Sequence, residues 1–337
     1  MGCHRSGTNL LYDMLLSSGG FAIYRGYLPI YKIMIPKYGS MASRANREKI
    51  VSTWFRSKGF RRTGLAREVF SPRIENECRT GGDFIRVVLD SVTQQQNAQR
   101  WAFYDPDNVL HFRHVKKDIP NALFVHIIRD GRDIALSLKK MGGFAPLPWD
   151  RSETSSLVAT ALYWEWMVRH GREAAKLFPA DYIEVRYEDL ITNPRETLGR
   201  LGGFIDHDLD YDRVQQAGLG SLSKTNSSFR EEGGKDKEKI NPLGRWRDRL
   251  SPTNIAAIES TVGDCLEQNH YQLSLPAGQR RTSLRSSMMR AMYPAFLGSK
   301  LWLKLNTPLG RCANESALEL ADEPMPATEM ASPSKPS

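Results

Sequence analysis

Along the chain, short apolar runs alternate with stripes of helical spacing. Leu10, Leu11, Met14 and Leu15 recur with the helical period, and Gly19-Gly20 ends the run. Phe21 to Leu28 reads as a strand, and Arg44 to Arg79 is basic and helical in tendency. Asp83 is positioned to cap a helix burying Phe84, Val87, Val88 and Val92. Asp105-Pro106 reads as a helix start, a capping carboxylate followed by a ring at the first helical position. "ALFVHII" (122–128) is predicted to be a strand buried on both faces, as in a parallel sheet, and it runs straight into "RDGRD" and a helix bearing Ile134, Ala135 and Leu138. A long helix from Ser152 to Leu177 follows. Next come a strand in "YIEVRYEDL" (182–190), a helix opened by Pro194 and a Gly-, Lys- and Glu-rich loop from Lys224 to Arg249. Ser251-Pro252 then starts a further helix. Strands alternating with helices predict an α/β fold, a central parallel sheet with crossover helices, occupying residues 1–276 as one domain.

Beyond that domain the pattern changes. Residues 277–314 hold seven basic side chains (Arg280, Arg281, Arg285, Arg290, Lys300, Lys304, Arg311), no acidic one, and an apolar component that includes Met288, Met292 and Phe296. This predicts a basic helical extension. Pro294 and Gly298 break its pattern and favour packing back on the domain; lying on an anionic membrane surface through 279–304 is the other reading. From Glu315 to Ser337 the Pro-, Ser- and Glu-rich composition predicts a disordered tail.

Composition adds limits. With 40% hydrophobic and 25% charged residues the chain is ordinarily globular, and its formal charge of +9 favours an anionic ligand or surface. No nucleic-acid-reading motif is present, so nucleic acid is not an expected partner. Cys3, Cys78, Cys265 and Cys312 are scattered without metal-ligand spacing, which predicts reduced thiols in a cytoplasmic protein and no metal. No apolar run approaches the ~18 residues of a membrane span, so a soluble protein is expected.

The first candidate chemistry is "GCHRSGTN" (2–9), which follows the phosphate-cradling pattern G-x-x-x-x-G-K-[ST] except at its end. Backbone N–H groups and a helix N-terminus converge on phosphate oxygens in such a loop. Here Thr8 replaces the lysine, Asn9 replaces the metal-binding hydroxyl, and the cation has moved to Arg5. That disfavours nucleoside triphosphate hydrolysis and suits a donor that reacts without metal. By itself the segment is equally well an ordinary Gly-containing turn before a helix.

A second constellation, "FVHIIRDGRDIALSL" (124–138), puts Arg129 at the carboxyl end of a buried strand and Ser137 eight residues on. That sheet edge is where ligands bind in α/β folds, and arginine with serine can hold a separate phosphate. Two phosphate grips suggest a nucleotide phosphorylated at two distant positions.

"GCHRSGTNLL", "ALFVHIIRDGRDIALSL", "YIEVRYEDLITNPRETL" and "GRWRDRLSP" together resemble, in order and spacing, the sulfotransferase superfamily dependent on 3′-phosphoadenosine 5′-phosphosulfate, nearest its bacterial and tyrosylprotein members. The resemblance spans roughly Gly2 to Tyr271. It implies a single α/β domain without metal that moves a sulfuryl group to a hydroxyl acceptor by in-line displacement and releases adenosine 3′,5′-bisphosphate. It implies that Arg5, Ser6, Gly7, Thr8 and Asn9 cradle the 5′-phosphosulfate, that Arg129 and Ser137 hold the 3′-phosphate, and that Arg245 closes over the cofactor. "RYEDL" is a structural landmark of the family. The acceptor walls would come from Arg25 to Gln99 and Gly142 to Ser156.

The sequence departs from the resemblance twice. Family members carry a glutamate or histidine base just before the helix that precedes the RD strand, where this chain has Phe103, Tyr104, Asp105 and Pro106. Asp105 is the nearest carboxylate and the provisional base, although its Asp-Pro context favours a helix cap; His4, His111 and His114 are the other candidates. The family's first strand lies immediately upstream of the loop, where only Met1 stands, so the first strand is expected to be missing and the sequence truncated. A non-catalytic relative that binds a phosphorylated ligand is the alternative to an enzyme, with a P-loop kinase behind it.

Overall fold

Phe124–Ile128 (β1) is apolar at every position but His126, and His126, Ile127 and Ile128 are all buried, as both-sided packing demands. β1 pairs in parallel with Tyr182–Arg186 (β2), in register from Phe124 opposite Tyr182 to Ile128 opposite Arg186. Helices Gly131–Lys139 and Glu153–Leu177 make the crossover, and Glu153–Leu177 also packs against Pro252–Gln268. On the other side of β1 the Met1 α-ammonium donates to Val125 O (2.7 Å), the Ile127 N–H donates to Met1 O (3.0 Å), and Gly2 bridges Ile127 in parallel. Met1 and Gly2 therefore pair beside β1 as an isolated bridge, not as a strand, and lead directly into the loop.

The computed structural model describes residues 1–141, 152–217, 242–276, 280 and 284–321. They fall into two compact units, Met1–Ser17 with Leu123–Lys300, and Ser18–Ala122 with Leu301–Ser337. Residues 142–151 of the expected wall segment Gly142 to Ser156, and 218–241 with most of the loop from Lys224 to Arg249, lie outside the described residues. Among the described residues the sheet holds two strands and the Met1–Gly2 pairing. The parallel α/β arrangement is as expected, with fewer strands than the alternation implied.

Phe21–Leu28 is a correction. It contributes one bridge, Phe21 to Arg100, and otherwise runs without regular structure. The side-chain amide of Gln96 takes both backbone groups of Ile23: Ile23 N–H donates to its Oε1 (2.7 Å), and its Nε2 donates to Ile23 O (2.9 Å). Backbone groups satisfied by a side chain do not need a neighbouring strand.

The second unit is helical among its described residues. Trp54 is fully buried, with Phe60, Phe70 and Phe84 edge-on at 5.1 Å. Each such aromatic contact contributes about 0.5–1.5 kcal/mol beyond area burial. The helix assigned to an Asp83 cap begins at Gly81 with Thr80 as its cap. Asp83 instead completes a capping box by accepting the Thr80 N–H. The tail also departs from expectation at its start. Leu318 is buried, Glu319 pairs with Lys58 (2.5 Å), and Ala321 N–H donates to Arg56 O (2.9 Å). Further ties run from Lys37 to Glu315 (3.4 Å), from Arg61 to Glu319 O (2.9 Å) and from Arg56 to Ala321 O (3.2 Å), and 322–337 lie outside the described residues.

Candidate active site

The loop turns because its residues accept unusual backbone angles. Gly2 and Gly7 have φ of 154° and 96°, and Arg5 itself sits in the left-handed region at 71°. A Cβ on Gly7 would lie 2.3 Å from Cδ2 of Tyr187, so the loop rests directly on that ring. Ser6 N–H closes the turn on Cys3 O (3.1 Å), and the helix Thr8–Ser17 follows at once. The first N–H groups of a helix have no intrahelical acceptor, so they face the loop as donors. Thr8 is buried at this start and Asn9 is exposed.

The two constellations meet. Arg5 Nε donates to Ser137 Oγ (3.0 Å), and Arg129 Nη1 donates to Arg5 O (3.3 Å). Arg129 stacks over Tyr187 at 4.4 Å and donates through Nη2 to Pro242 O (2.6 Å). Its Nη2 is also 3.6 Å from Asp133. Asp133 holds a second segment in place: its two oxygens accept Gly244 N–H and Trp246 N–H, each at 3.0 Å, fixing the backbone on both sides of Arg245.

The electrostatics of these residues suit an anion. Burial and then the charge of Arg129 hold the Arg5 guanidinium below its ordinary pKa, and the same two causes act on Arg245. Arg129 thus repels both Arg5 and Arg245, and an anion beside these partly buried cations would relieve that repulsion. Ser6 Oγ and Arg129 Nε are buried without a hydrogen-bond partner, polar groups of the kind a bound anion satisfies. Burial pushes the Asp133 carboxyl upward, with Arg129 opposing.

Behind the site lies a buried ion network. Arg132 donates to Asp130 (2.7 Å) and Glu259 (2.6 Å) and lies 3.7 Å over the Trp246 ring. Glu188 accepts Asp130 N–H and the Tyr271 hydroxyl, each at 3.0 Å. "RDGRD" is thereby tied to "RYEDL". Tyr187, Arg132, Glu188 and Glu259 were not among the sequence candidates; the "RYEDL" string was the signal for two of them.

The base candidate lies in the second unit. Asp105 is buried and its Oδ1 accepts Asp107 N–H (3.0 Å), and the helix begins at Asn108, not at Pro106. Asp105 thus bridges a turn ahead of the helix. Burial, then Asp105 and Asp107, push the Tyr27 phenol well above its ordinary range. His111 is buried on the same helix, and burial lowers its pKa to about 3.

Residues 1–211 match the model of the sulfotransferase family. The chain belongs to that family. Among curated proteins it is 22% identical over 215 residues to a Caenorhabditis elegans protein provisionally named a protein-tyrosine sulfotransferase, covering 62% of this chain and 78% of that one. The sulfotransferase domain of the Synechococcus PCC 7002 olefin synthase superposes with a TM-score of 0.50 at 18% identity, over 82% of this chain and 94% of that one, and shows the shared fold. The sulfotransferase domain from the curacin biosynthetic pathway gives a TM-score of 0.46 at 13% identity, over 81% and 96% of the two chains. No cluster of three potential metal-ligating side chains occurs among the described residues.

Proposed function

We propose that this chain transfers the sulfuryl group of 3′-phosphoadenosine 5′-phosphosulfate to a hydroxyl acceptor by in-line displacement. The observation that carries this reading is the joining of the two constellations by hydrogen bonds, Arg5 to buried Ser137 and Arg129 to the Arg5 carbonyl, with the charge of Arg129 also felt by Arg245. The donor, when bound, supplies an activated sulfuryl group and a 5′-phosphate leaving group.

Arg5, Ser6, Gly7, Thr8 and Asn9 take the 5′ end, where Arg5 and the helix N-terminus stabilise the negative charge that develops on the leaving group. Arg129 and Ser137 take the 3′-phosphate, and Arg245 covers the nucleotide. The hydrogen bond from Arg5 to Ser137 links the two grips, so each phosphate orders the other's site. Asp105 is assigned the acceptor proton, a role that competes with its observed turn bond. A tyrosyl phenol is the first acceptor to try, on the strength of the Caenorhabditis elegans relative's name.

The test is thermal unfolding in the presence of adenosine 3′,5′-bisphosphate, beside ADP and ATP with magnesium. A ligand at 100 times its dissociation constant stabilises the fold by about 2.7 kcal/mol. The bisphosphate alone is expected to raise the midpoint, and Arg129→Ala to abolish the rise. Equal stabilisation by ATP with magnesium would sink the reading in favour of a nucleoside triphosphate site. Binding without transfer of labelled sulfate to any hydroxyl acceptor would leave a non-catalytic relative.

A further inference from the structure

The helix Leu284–Asn306 carries a stripe that the site does not use. Leu284, Met288, Met292 and Phe296 follow one another at intervals of four. At 100° per residue they fall within one arc of about 120°. All four face solvent, with exposures of 82%, 54%, 63% and 57%. Tyr293, on another face of the helix, is the buried anchor at 7%. Trp302 and Leu303, farther along the helix, are exposed as well. Scattered exposed apolar residues are ordinary, but a contiguous stripe of large ones marks an interaction surface.

Charge identifies what the stripe meets. Residues 277–314 include seven Arg and Lys and no Asp or Glu. Arg280 is engaged by Glu267 (2.6 Å), and Arg290 is engaged by Asp264 (3.0 Å) and lies 3.8 Å from Glu165. Lys300 is exposed beside the stripe, and Arg311 is exposed beyond the helix end. Two copies of this face meeting would bring like charges together. An anionic sheet of headgroups over an apolar layer complements both features at once. No described helix is long and apolar enough to cross a membrane, so the fit is to a surface.

We propose that the face of Leu284–Asn306 bearing Leu284, Met288, Met292 and Phe296 docks the protein on anionic lipid, apolar side chains in the acyl boundary and Lys300 among the headgroups. The inference is independent of the sulfuryl-transfer reading. Met side chains suit such a surface because they adapt to an irregular apolar environment.

The test is flotation of the full chain with vesicles of phosphatidylcholine alone, and of phosphatidylcholine with about one third phosphatidylserine, at low salt and at about 0.5 M salt. Binding is expected only to the phosphatidylserine vesicles, falling steeply with salt. Met292→Glu with Phe296→Glu, and separately Lys300→Glu, should each weaken it, the double variant at least tenfold. These side chains are exposed, so the variants should keep the wild-type melting midpoint and the response to adenosine 3′,5′-bisphosphate. Failure to bind phosphatidylserine vesicles, or undiminished binding by the double variant, overturns the proposal. So does wild-type dimerisation that the double variant abolishes, because the stripe would then belong to a second copy.

Discussion

Gly7 shows at the residue scale how little freedom the loop has. Its φ of 96° is strained for any side chain, and a Cβ there would overlap Tyr187, whose ring also carries Arg129. Gly7→Ala should cost about 1–3 kcal/mol of stability, read as a lowered urea midpoint. Displacing Tyr187 should also weaken bisphosphate binding. An unchanged midpoint with unchanged binding would show that the loop is not clamped by Tyr187. The glycine pattern was legible in the sequence because it is local. Its partner ring, 180 positions away in the chain, was not, since no local pattern records which aromatic a loop will rest on.

At the scale of elements, the helix Gly131–Lys139 organises the site by the groups at its first turn. Asp130 caps it and Asp133 reaches across to hold the backbone at Gly244 and Trp246. Both Asp133 oxygens are acceptors in use, so Asp133→Asn replaces one with a donor and leaves one N–H without its partner. The segment around Arg245 should loosen and bisphosphate affinity should fall about tenfold, the equivalent of about 1.4 kcal/mol. Arg245→Ala should produce a similar loss, and calorimetry of the double variant should show much less than the sum. Additive losses would mean that Asp133 does not act through Arg245. Asp133 lies within the "RDGRD" string that local pattern marks as the start of this helix. Its target lay beyond the sequence pattern, because the hydrogen bonds link residues 111 and 113 positions apart.

For the whole molecule, the buried imidazoles govern acid stability. Burial, then the Met1 α-ammonium and Arg172, lower the pKa of His126 to about 3; burial is the main cause for His111, also about 3. His126 Nδ1 lies 2.6 Å from the Tyr182 hydroxyl, which donates to Glu184 (2.8 Å), and its Nε2 is buried without a hydrogen-bond partner. Folding therefore favours the neutral rings, and the unfolded chain binds more protons between the ordinary histidine pKa of about 6.5 and pH 3. Stability contributed by these rings is complete above that window and lost as pH falls through it, at up to about 1.4 kcal/mol per pH unit for each ring. Unfolding midpoints measured across the window should show this slope, and His126→Gln should flatten it. A slope that His126→Gln leaves unchanged would assign acid sensitivity elsewhere.

The sequence by itself determined the α/β class, the β1 and β2 segments, most of the long helices and the Arg5 and Arg129 constellations. Each of these is encoded in hydrophobic period, cap residues or motif spacing within a few tens of residues. It misjudged elements whose backbone was satisfied by distant groups: Phe21–Leu28, held by the Gln96 amide, and Glu315–Ala321, held by Lys58 and Arg56. Tertiary structure alone decided that Arg5 donates to Ser137 across 132 positions, that Met1 and Gly2 pair with β1, and that one stripe of Leu284–Asn306 faces water. The physical reason is the same throughout. Local pattern fixes which face of an element is apolar or charged, but which groups satisfy that face is settled only when the chain packs.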